Sequence, residues 1–294
     1  MHHLDPNILF NGDRKIKLSE FSPNYINHYH SEKEALSKLA NDIESLKALQ
    51  YKLYAQSNYS ILIVLQAIDA AGKDSLIKHV FSGINPQGCN VHSFKTPNDE
   101  ELKHNYLWRY YKALPPKGMI GIFNRSYYED VLIKKVHPEL VLHENLPNIK
   151  STKDIDEKFW NARYKEIKRL EKTLLNTGTI ILKFFLNLSQ EEQTKRFISR
   201  IDEERKNWKF SNSDMTERQY WNDYQLAFEN MLNKTATKEA PWYIIPADNK
   251  WFTRVAVGDI ISSKLNELDL HTPEVSKEKK KELNKIKNIL KKEL

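Results

Sequence analysis

The amino-acid sequence predicts an α/β protein, a five-stranded parallel sheet with helices on both faces. Three observations predict it. Five short apolar runs, at residues 61–68, 90–95, 118–123, 179–188 and 241–247, alternate with stretches of helical periodicity. The fourth run is apolar almost throughout, as a parallel strand covered on both faces should be. The first run, Ile61 to Ile68, passes through Asp69-Ala70-Ala71-Gly72 into Lys73 and a helical pattern carrying Leu76, Ile77 and Val80. Strand, glycine-lysine loop and helix in immediate succession form the setting of a phosphate-binding loop, or P-loop.

The elements follow in chain order. Residues 1–31, with Pro6, Pro23 and scattered aromatics, read as an irregular arm over a main domain of residues 32–270. From Glu32 to about Tyr54, Leu36, Leu39, Ile43, Leu46 and Leu53 recur at helical spacing and predict an amphipathic helix. Gly83, Pro86 and Gly88 mark a loop before the second strand, and a turn at Lys95–Glu101 leads to a helix carrying Leu102, Tyr106, Leu107 and Trp108. The third strand ends in the polar cluster Asn124 to Asp130, and a charged helix spans about Asp154 to Asn176. After the fourth strand, Ser189 and Glu192 have the spacing of a capping box opening the next helix. Residues 213–233 predict a further helix rich in aromatics, and 251–268 a closing helix. Residues 271–294 end in a lysine-rich helix with Leu283, Ile286 and Leu290 on one face, packing on this chain or on a partner subunit.

Composition narrows the class. With 40% hydrophobic and 29% charged residues in 294, the chain reads as a soluble globular protein. No apolar run approaches the roughly 20 residues of a membrane span. The start of the chain lacks the features of a signal peptide, and Cys89 stands alone, so no internal disulfide forms. The expected setting is cytoplasmic. The net charge of +7 resides mostly in the tail, where Lys277 to Leu294 holds eight lysines against three glutamates. The overall basic charge is therefore weak evidence about the active site, which must be argued from local clusters. A nucleic-acid-binding reading of the tail lacks the stacking platforms it would use, because no aromatic follows Ser276. The ten histidines show neither metal-ligand nor triad spacing.

Ligands of such sheets lie beyond the C-terminal strand ends. Three polar clusters fall there: the loop after the first strand, Lys95 after the second, and Asn124-Arg125 after the third. Gly72 permits close backbone approach to a phosphate, and Lys73 reaches the outer phosphates. Against the usual G-x-x-x-x-G-K-[ST] pattern, Ala67 replaces the first glycine and Asp74 the hydroxyl residue, with Ser75 one place later. Asp69 puts a carboxylate beside the phosphate cradle, which implies a magnesium ion between the two anions. Arg125 either faces the loop or pairs with Glu129 or Asp130. Arg196 and Arg200 share a helix face, which either turns to the site or is a solvated charged face paired with Asp202 to Glu204. Arg205 joins them only if the helix breaks.

Six motifs, Ala67–Asp74, Ser93–Pro97, Leu107–Arg109, Gly121–Val131, Lys206–Phe210 and Pro241–Asp248, resemble those of the polyphosphate kinase 2 family in matching order. The resemblance implies a three-layer, thymidylate-kinase-like P-loop fold. It also implies phosphoryl transfer between inorganic polyphosphate and adenine, and by extension guanine, nucleotides. Magnesium, or manganese in its place, would be the cofactor, and the enzyme a homo-oligomer without nucleic-acid or membrane partners. Asn124–Val131 is similar to the branch that accepts both AMP and ADP. By position, Lys73 becomes the P-loop lysine, Asp69 the metal ligand, and Arg125 a contact to the transferring phosphates. Ala70, Ala71, Gly72, Asp74 and Ser75 would cradle phosphate. Lys95 and Arg109 would line the site with Asn124 and Tyr128, and Glu129 would discriminate nucleotides. Arg196, Arg200 and Arg205 would sit in a helical lid at about 190–215. An ATP-dependent nucleotide kinase on the same fold is the alternative.

Overall fold

Apolar residues on both faces of four central strands demand cover on both sides, and the computed structural model supplies it with two layers of helices. It describes residues 5–26, 29, 31–208 and 210–293. Lys209, which belongs to the Lys206–Phe210 motif, lies outside the described residues. The strands are β1 (Leu9–Phe10), β2 (Ser60–Ala67), β3 (Cys89–Ser93), β4 (Ile120–Asn124), β5 (Thr179–Asn187) and β6 (Trp242–Pro246). They form one sheet in the order β1-β6-β5-β2-β4-β3. The sheet therefore has six strands, not five. The five expected strands are parallel, and β1 adds an antiparallel edge through Leu9↔Tyr243 and Phe10↔Trp242. It lies in the stretch read as irregular, because two residues cannot display the alternation that marks a strand.

The helices are α1 (Glu32–Gln56), α2 (Lys73–Val80), α3 (Asp99–Lys103), α4 (Trp108–Lys112), α5 (Ile133–Val136), α6 (Glu139–Leu142) and α7 (Glu157–Asn176). Then come α8 (Gln190–Asp202), α9 (Glu204–Asn207), α10 (Asn212–Arg218), α11 (Trp221–Thr235), α12 (Lys250–Asn266) and α13 (Lys277–Leu290). Side chains alternate along β2, so Ile61, Ile63 and Leu65 pack toward α1, α2 and α12. Leu62 and Val64 pack toward α7 and α11. Two expected single helices are broken. The segment through Leu102–Trp108 divides into α3 and α4, and residues 213–233 divide into α10 and α11. In α8, Ser189 Oγ accepts from the Glu192 amide, but the Glu192 carboxylate turns to Arg196 Nε at 2.9 Å. The capping box is thus only half formed. The apolar face of α13 does not pack on this chain: Leu283, Ile286, Ile289 and Leu290 are all exposed.

Beneath the functional end of the sheet lies an ionic core that the apolar reading of the fourth strand passed over. Lys183, fully buried on β5, donates to Glu171 Oε2 (2.8 Å), the Tyr128 hydroxyl (3.2 Å) and the Thr235 carbonyl (2.9 Å). Glu171 Oε1 accepts from the hydroxyls of Tyr127 (2.9 Å) and Tyr128 (2.6 Å). Every donor on the ammonium has a partner, as a buried charge requires. The network anchors the turn that follows β4.

Candidate active site

The β2–α2 loop carries two left-handed residues, Ala70 (φ 65°) and Gly72 (φ 101°). Gly72 adopts its conformation freely, whereas Ala70 holds it at a cost in sterics. Side chains of α8 hold the loop from outside. Gln193 Nε2 donates to the Asp69 carbonyl at 3.0 Å. Arg196 Nη1 donates to the carbonyls of Ala70 (3.0 Å) and Ala71 (2.9 Å), and its Nη2 to those of Ala247 (2.6 Å) and Asp248 (3.1 Å). Three successive peptide carbonyls therefore point at α8. In trans peptides, that turns the amides of Ala70, Ala71 and Gly72 to the opposite side.

Lys73 folds back to donate to the carbonyls of Ala67 (2.9 Å) and Ile68 (3.4 Å). Burial, reinforced by the Arg125 charge, pushes its ammonium down to about 8. Arg125, just past β4, is itself left-handed (φ 64°) and its Nη2 donates to Asp69 Oδ1 at 3.0 Å. A strained, non-glycine residue at a strand end that aims a guanidinium at the P-loop is a mark of a functional position. Glu129 stands behind it. With the Gln66 amide oriented to match its neighbours, Gln66 Nε2 lies 2.8 Å from Glu129 Oε1. Burial raises the Glu129 carboxyl above its ordinary range, opposed by Arg125 and Lys73. Asn124 Nδ2 donates to Asp74 Oδ1 at 2.7 Å, joining β4 to α2.

These groups open on a cleft of about 1130 Å³ at the C-terminal ends of the strands. All of the expected site residues line it except Arg109, Tyr128 and Glu129. Tyr128 is a correction: its side chain is fully buried and belongs to the Lys183–Glu171 core. Arg109 is another. Its Nη2 donates to the Lys95 carbonyl (2.9 Å), Nη1 lies 3.2 Å from Glu101 Oε2, and the guanidinium sits over Phe94. It shapes the loop that presents Lys95 rather than facing a ligand. Arg196 is the third, since only 6% of it is exposed and all five of its N–H donors are engaged. It buttresses the loop and is not a free lid cation.

Arg200 and Arg205 do reach the cleft, Arg200 with a 3.5 Å contact to Asp214 and Arg205 with a 2.9 Å contact to Glu203. The helix break that Arg205 needs is present, with Glu203 extended between α8 and α9. The cleft also holds Lys78, Lys250 and Arg254, which the sequence reading overlooked. Lys250 and Arg254 are four apart in the first turns of α12, the spacing that places two side chains on one face. Among the described residues ten lysines and arginines line the cleft against two aspartates, which suits a ligand of high negative charge.

A P-loop at the head of a parallel sheet, opening on a cleft of that charge, defines a phosphotransferase. Residues 29–273 match the polyphosphate kinase 2 family, and the chain belongs to it. The ADP-polyphosphate phosphotransferase of Rhodopseudomonas palustris is 45% identical over 276 residues, 94% of either chain. The AMP/ADP-polyphosphate phosphotransferase of Meiothermus ruber is 40% identical over 263 residues, 89% of this chain and 93% of that one. The crystal structure of polyphosphate kinase 2 from Arthrobacter aurescens is similar over 89% of each chain, with a TM-score of 0.81 and 37% identity. No described helix is long and apolar enough to cross a membrane.

Proposed function

We propose that this protein transfers phosphoryl groups between inorganic polyphosphate and adenine nucleotides, AMP to ADP and ADP to ATP, in either direction. The observation that carries the reading is the cation-lined cleft on the P-loop. Family membership and the names of the relatives in R. palustris and M. ruber favour it over an ATP-dependent nucleotide kinase. A terminal phosphate of the nucleotide attacks the end phosphorus of the chain. One P–O–P bond breaks as another forms, and the chain departs one phosphate shorter. The attacking oxygen is already anionic, so no general base is needed, and catalysis rests on alignment and neutralisation. Lys73 and Arg125 face the transferring group from two strand ends, and Arg200 and Arg205 add charge from the α8–α9 side.

The donor set fits magnesium. No cluster of three His, Cys, Asp or Glu exists among the described residues. Magnesium, however, commonly takes one or two carboxylates and completes its shell with phosphate oxygens and water. Asp69 is the carboxylate on the cleft beside Lys73 and Arg125, and would hold the ion, with manganese a substitute. When bound, the metal neutralises charge on the phosphates. A single cysteine and a chemistry drawing on nucleotide pools support a cytoplasmic setting. Incubation with magnesium, long-chain polyphosphate and AMP or ADP, followed by separation of the nucleotides, tests the proposal. ADP and ATP should accumulate. Product formed from ATP as donor but never from polyphosphate would refute it.

A further inference from the structure

The Asp69 carbonyl is held by a side chain that is itself held. Gln193, only 1% exposed on α8, donates from Nε2 to that carbonyl at 3.0 Å. An amide side chain has an oxygen at one end and an NH2 at the other, and only the NH2 can serve a carbonyl. What faces the far end decides which way the amide lies. Here it is Arg218, the last residue of α10, whose Nη1 donates to Gln193 Oε1 at 2.6 Å. A guanidinium carries donors and no acceptor, so it admits only the oxygen. The contact is short and charge-assisted, which makes it the stronger of the two bonds.

Arg218 is fixed in turn. Its Nη2 donates to Thr194 Oγ1 at 2.6 Å and to the Gln190 carbonyl at 3.3 Å, so the fork straddles the first turns of α8. Its neighbour Glu217 anchors the end of α10. Glu217 Oε2 accepts from the Tyr224 hydroxyl of α11 at 2.6 Å and lies 3.0 Å from Nε2 of His137, just past α5. Neither Arg218 nor Gln193 lines the cleft, so neither is placed to touch a ligand there. The residue on which this line of bonds ends is Asp69. Its carboxylate accepts from Arg125 Nη2 at 3.0 Å, so Asp69 is held by its main chain from α8 and by its side chain from the end of β4.

We propose that Arg218 is a positioning residue for the reaction: by setting the Gln193 amide it fixes the Asp69 carbonyl, and with it the place of the Asp69 carboxylate beside Lys73. This rests on the phosphotransfer reading above, in which Asp69 holds the magnesium ion. Without Arg218 the amide is free to turn its oxygen toward the Asp69 carbonyl, and two acceptors repel. The loop then loses one of its three successive carbonyl anchors. Ala70 already holds a left-handed conformation, so the loss falls on a segment with strain to release.

The test compares the wild type with Arg218→Ala, Arg218→Lys, Gln193→Ala, Gln193→Glu and the double variant Arg218→Ala/Gln193→Ala. Arg218→Ala should lower kcat on the order of tenfold and leave KM for ADP and polyphosphate within about twofold, because reacting groups are misplaced while substrate contacts remain. The magnesium concentration for half-maximal rate should rise severalfold. In the free protein the Ala71 amide, bonded to the Ile68 carbonyl within the loop, should exchange its hydrogen faster, a readout independent of turnover. Arg218→Lys keeps a donor on Gln193 Oε1 and should recover most of kcat. Gln193→Glu keeps the Arg218 contact as an ion pair but sets an oxygen against the Asp69 carbonyl, so kcat should fall while Tm holds. The double variant should be no slower than Gln193→Ala, since the arginine acts through the amide. An Arg218→Ala protein with a lowered Tm but unchanged kcat, magnesium dependence and loop exchange would overturn the proposal and leave Arg218 a tie between α10 and α8. So would a double variant slowed by the product of the single effects, or a rise in KM for polyphosphate alone. Should Arg218→Ala not fold, Gln193→Glu decides, and full kcat in that variant overturns the proposal. A wild type that makes no product from polyphosphate overturns the underlying reading, and is seen before any variant is compared.

Discussion

Replacing Arg196 by alanine should destabilise the protein strongly, because its side chain is a structural part of the P-loop. The guanidinium is buried and joins three segments: the loop through Ala70 and Ala71, the end of β6 through Ala247 and Asp248, and α8 through Glu192. The bonds to the Ala71 and Ala247 carbonyls are fully buried. A buried acceptor stripped of its donor costs about 1–3 kcal/mol, so the pair costs about 2–6 kcal/mol, moderated by water entering the space. Taking about 3 kcal/mol, and about 2–4 °C per kcal/mol for a chain of this size, Tm should fall by about 6–12 °C. Arg196→Lys should recover little, since one ammonium cannot serve four divergent carbonyls. Arg200→Ala is the control. Its side chain is 22% exposed and its contact to Asp214 is long, at 3.5 Å. Its Tm should move by no more than about 2 °C, while kcat falls about tenfold. Differential scanning calorimetry and initial rates on the same preparations decide the matter. An Arg196→Ala protein that melts with the wild type and loses only kcat would refute the reasoning and restore a free lid arginine.

The remaining predictions concern the proton on Lys73, the metal and the tail. With the Lys73 ammonium at about 8 in the free site, a bound phosphate raises it, so binding above that pH takes up a proton. KM for polyphosphate should be flat below about pH 8 and rise up to about tenfold per pH unit above it. A profile flat through pH 9 would contradict this. The sign for stability is opposite: the unfolded chain holds the proton more tightly, so this group's contribution to free-protein stability grows as pH rises from about 8 toward the ordinary lysine value. Asp69→Asn should raise the magnesium concentration for half-maximal rate severalfold, and an unchanged titration would remove Asp69 from the metal site. Deleting residues 277–294 should leave Tm within about 1 °C, because no described residue of α13 is buried and exposed groups add little. A larger fall would show that its apolar face is covered in solution.

What was legible in the sequence was what is local. The P-loop, the five parallel strands and the place of Arg125 each follow from residues within one element and its immediate sequel. The burial of Arg196 was not legible, since spacing put it with Arg200 on one face but could not say what packs there. Its carbonyl partners lie 51 to 126 residues away. Lys183 was hidden by its apolar neighbours, and only the fold brings Glu171 and Thr235 to it. Tyr128 was drawn into the site by the motif that contains it, yet alternate residues of a turn face opposite ways, and its hydroxyl serves the core. Lys250 and Arg254 did carry a signal, a pair of cations four apart at the start of a helix after a strand end, and it went unweighed.

The same nonlocal contacts explain why the phosphate loop departs from the usual pattern. Ala67 can replace the first glycine because it is the last residue of β2, and positive φ occurs in this loop only at Ala70 and Gly72. Asp74 can replace the hydroxyl residue because Asn124 donates to it across the sheet, where a second carboxylate would repel it. Ala70 holds a conformation that glycine would take more readily, so something else must restrain the loop. Gln193 and Arg196 do so by binding the carbonyls of residues 69, 70 and 71 in succession. The restraint that glycines leave to sequence is here supplied from α8. If residues 190–215 act as the lid that the sequence suggests, they would not move as one flap, because Gln193 and Arg196 in the first two turns of α8 are bonded to the loop. A closing motion would then hinge beyond Arg196, and the break at Glu203 between α8 and α9 would put Arg205 and Lys206, both paired with Glu203, on the moving side.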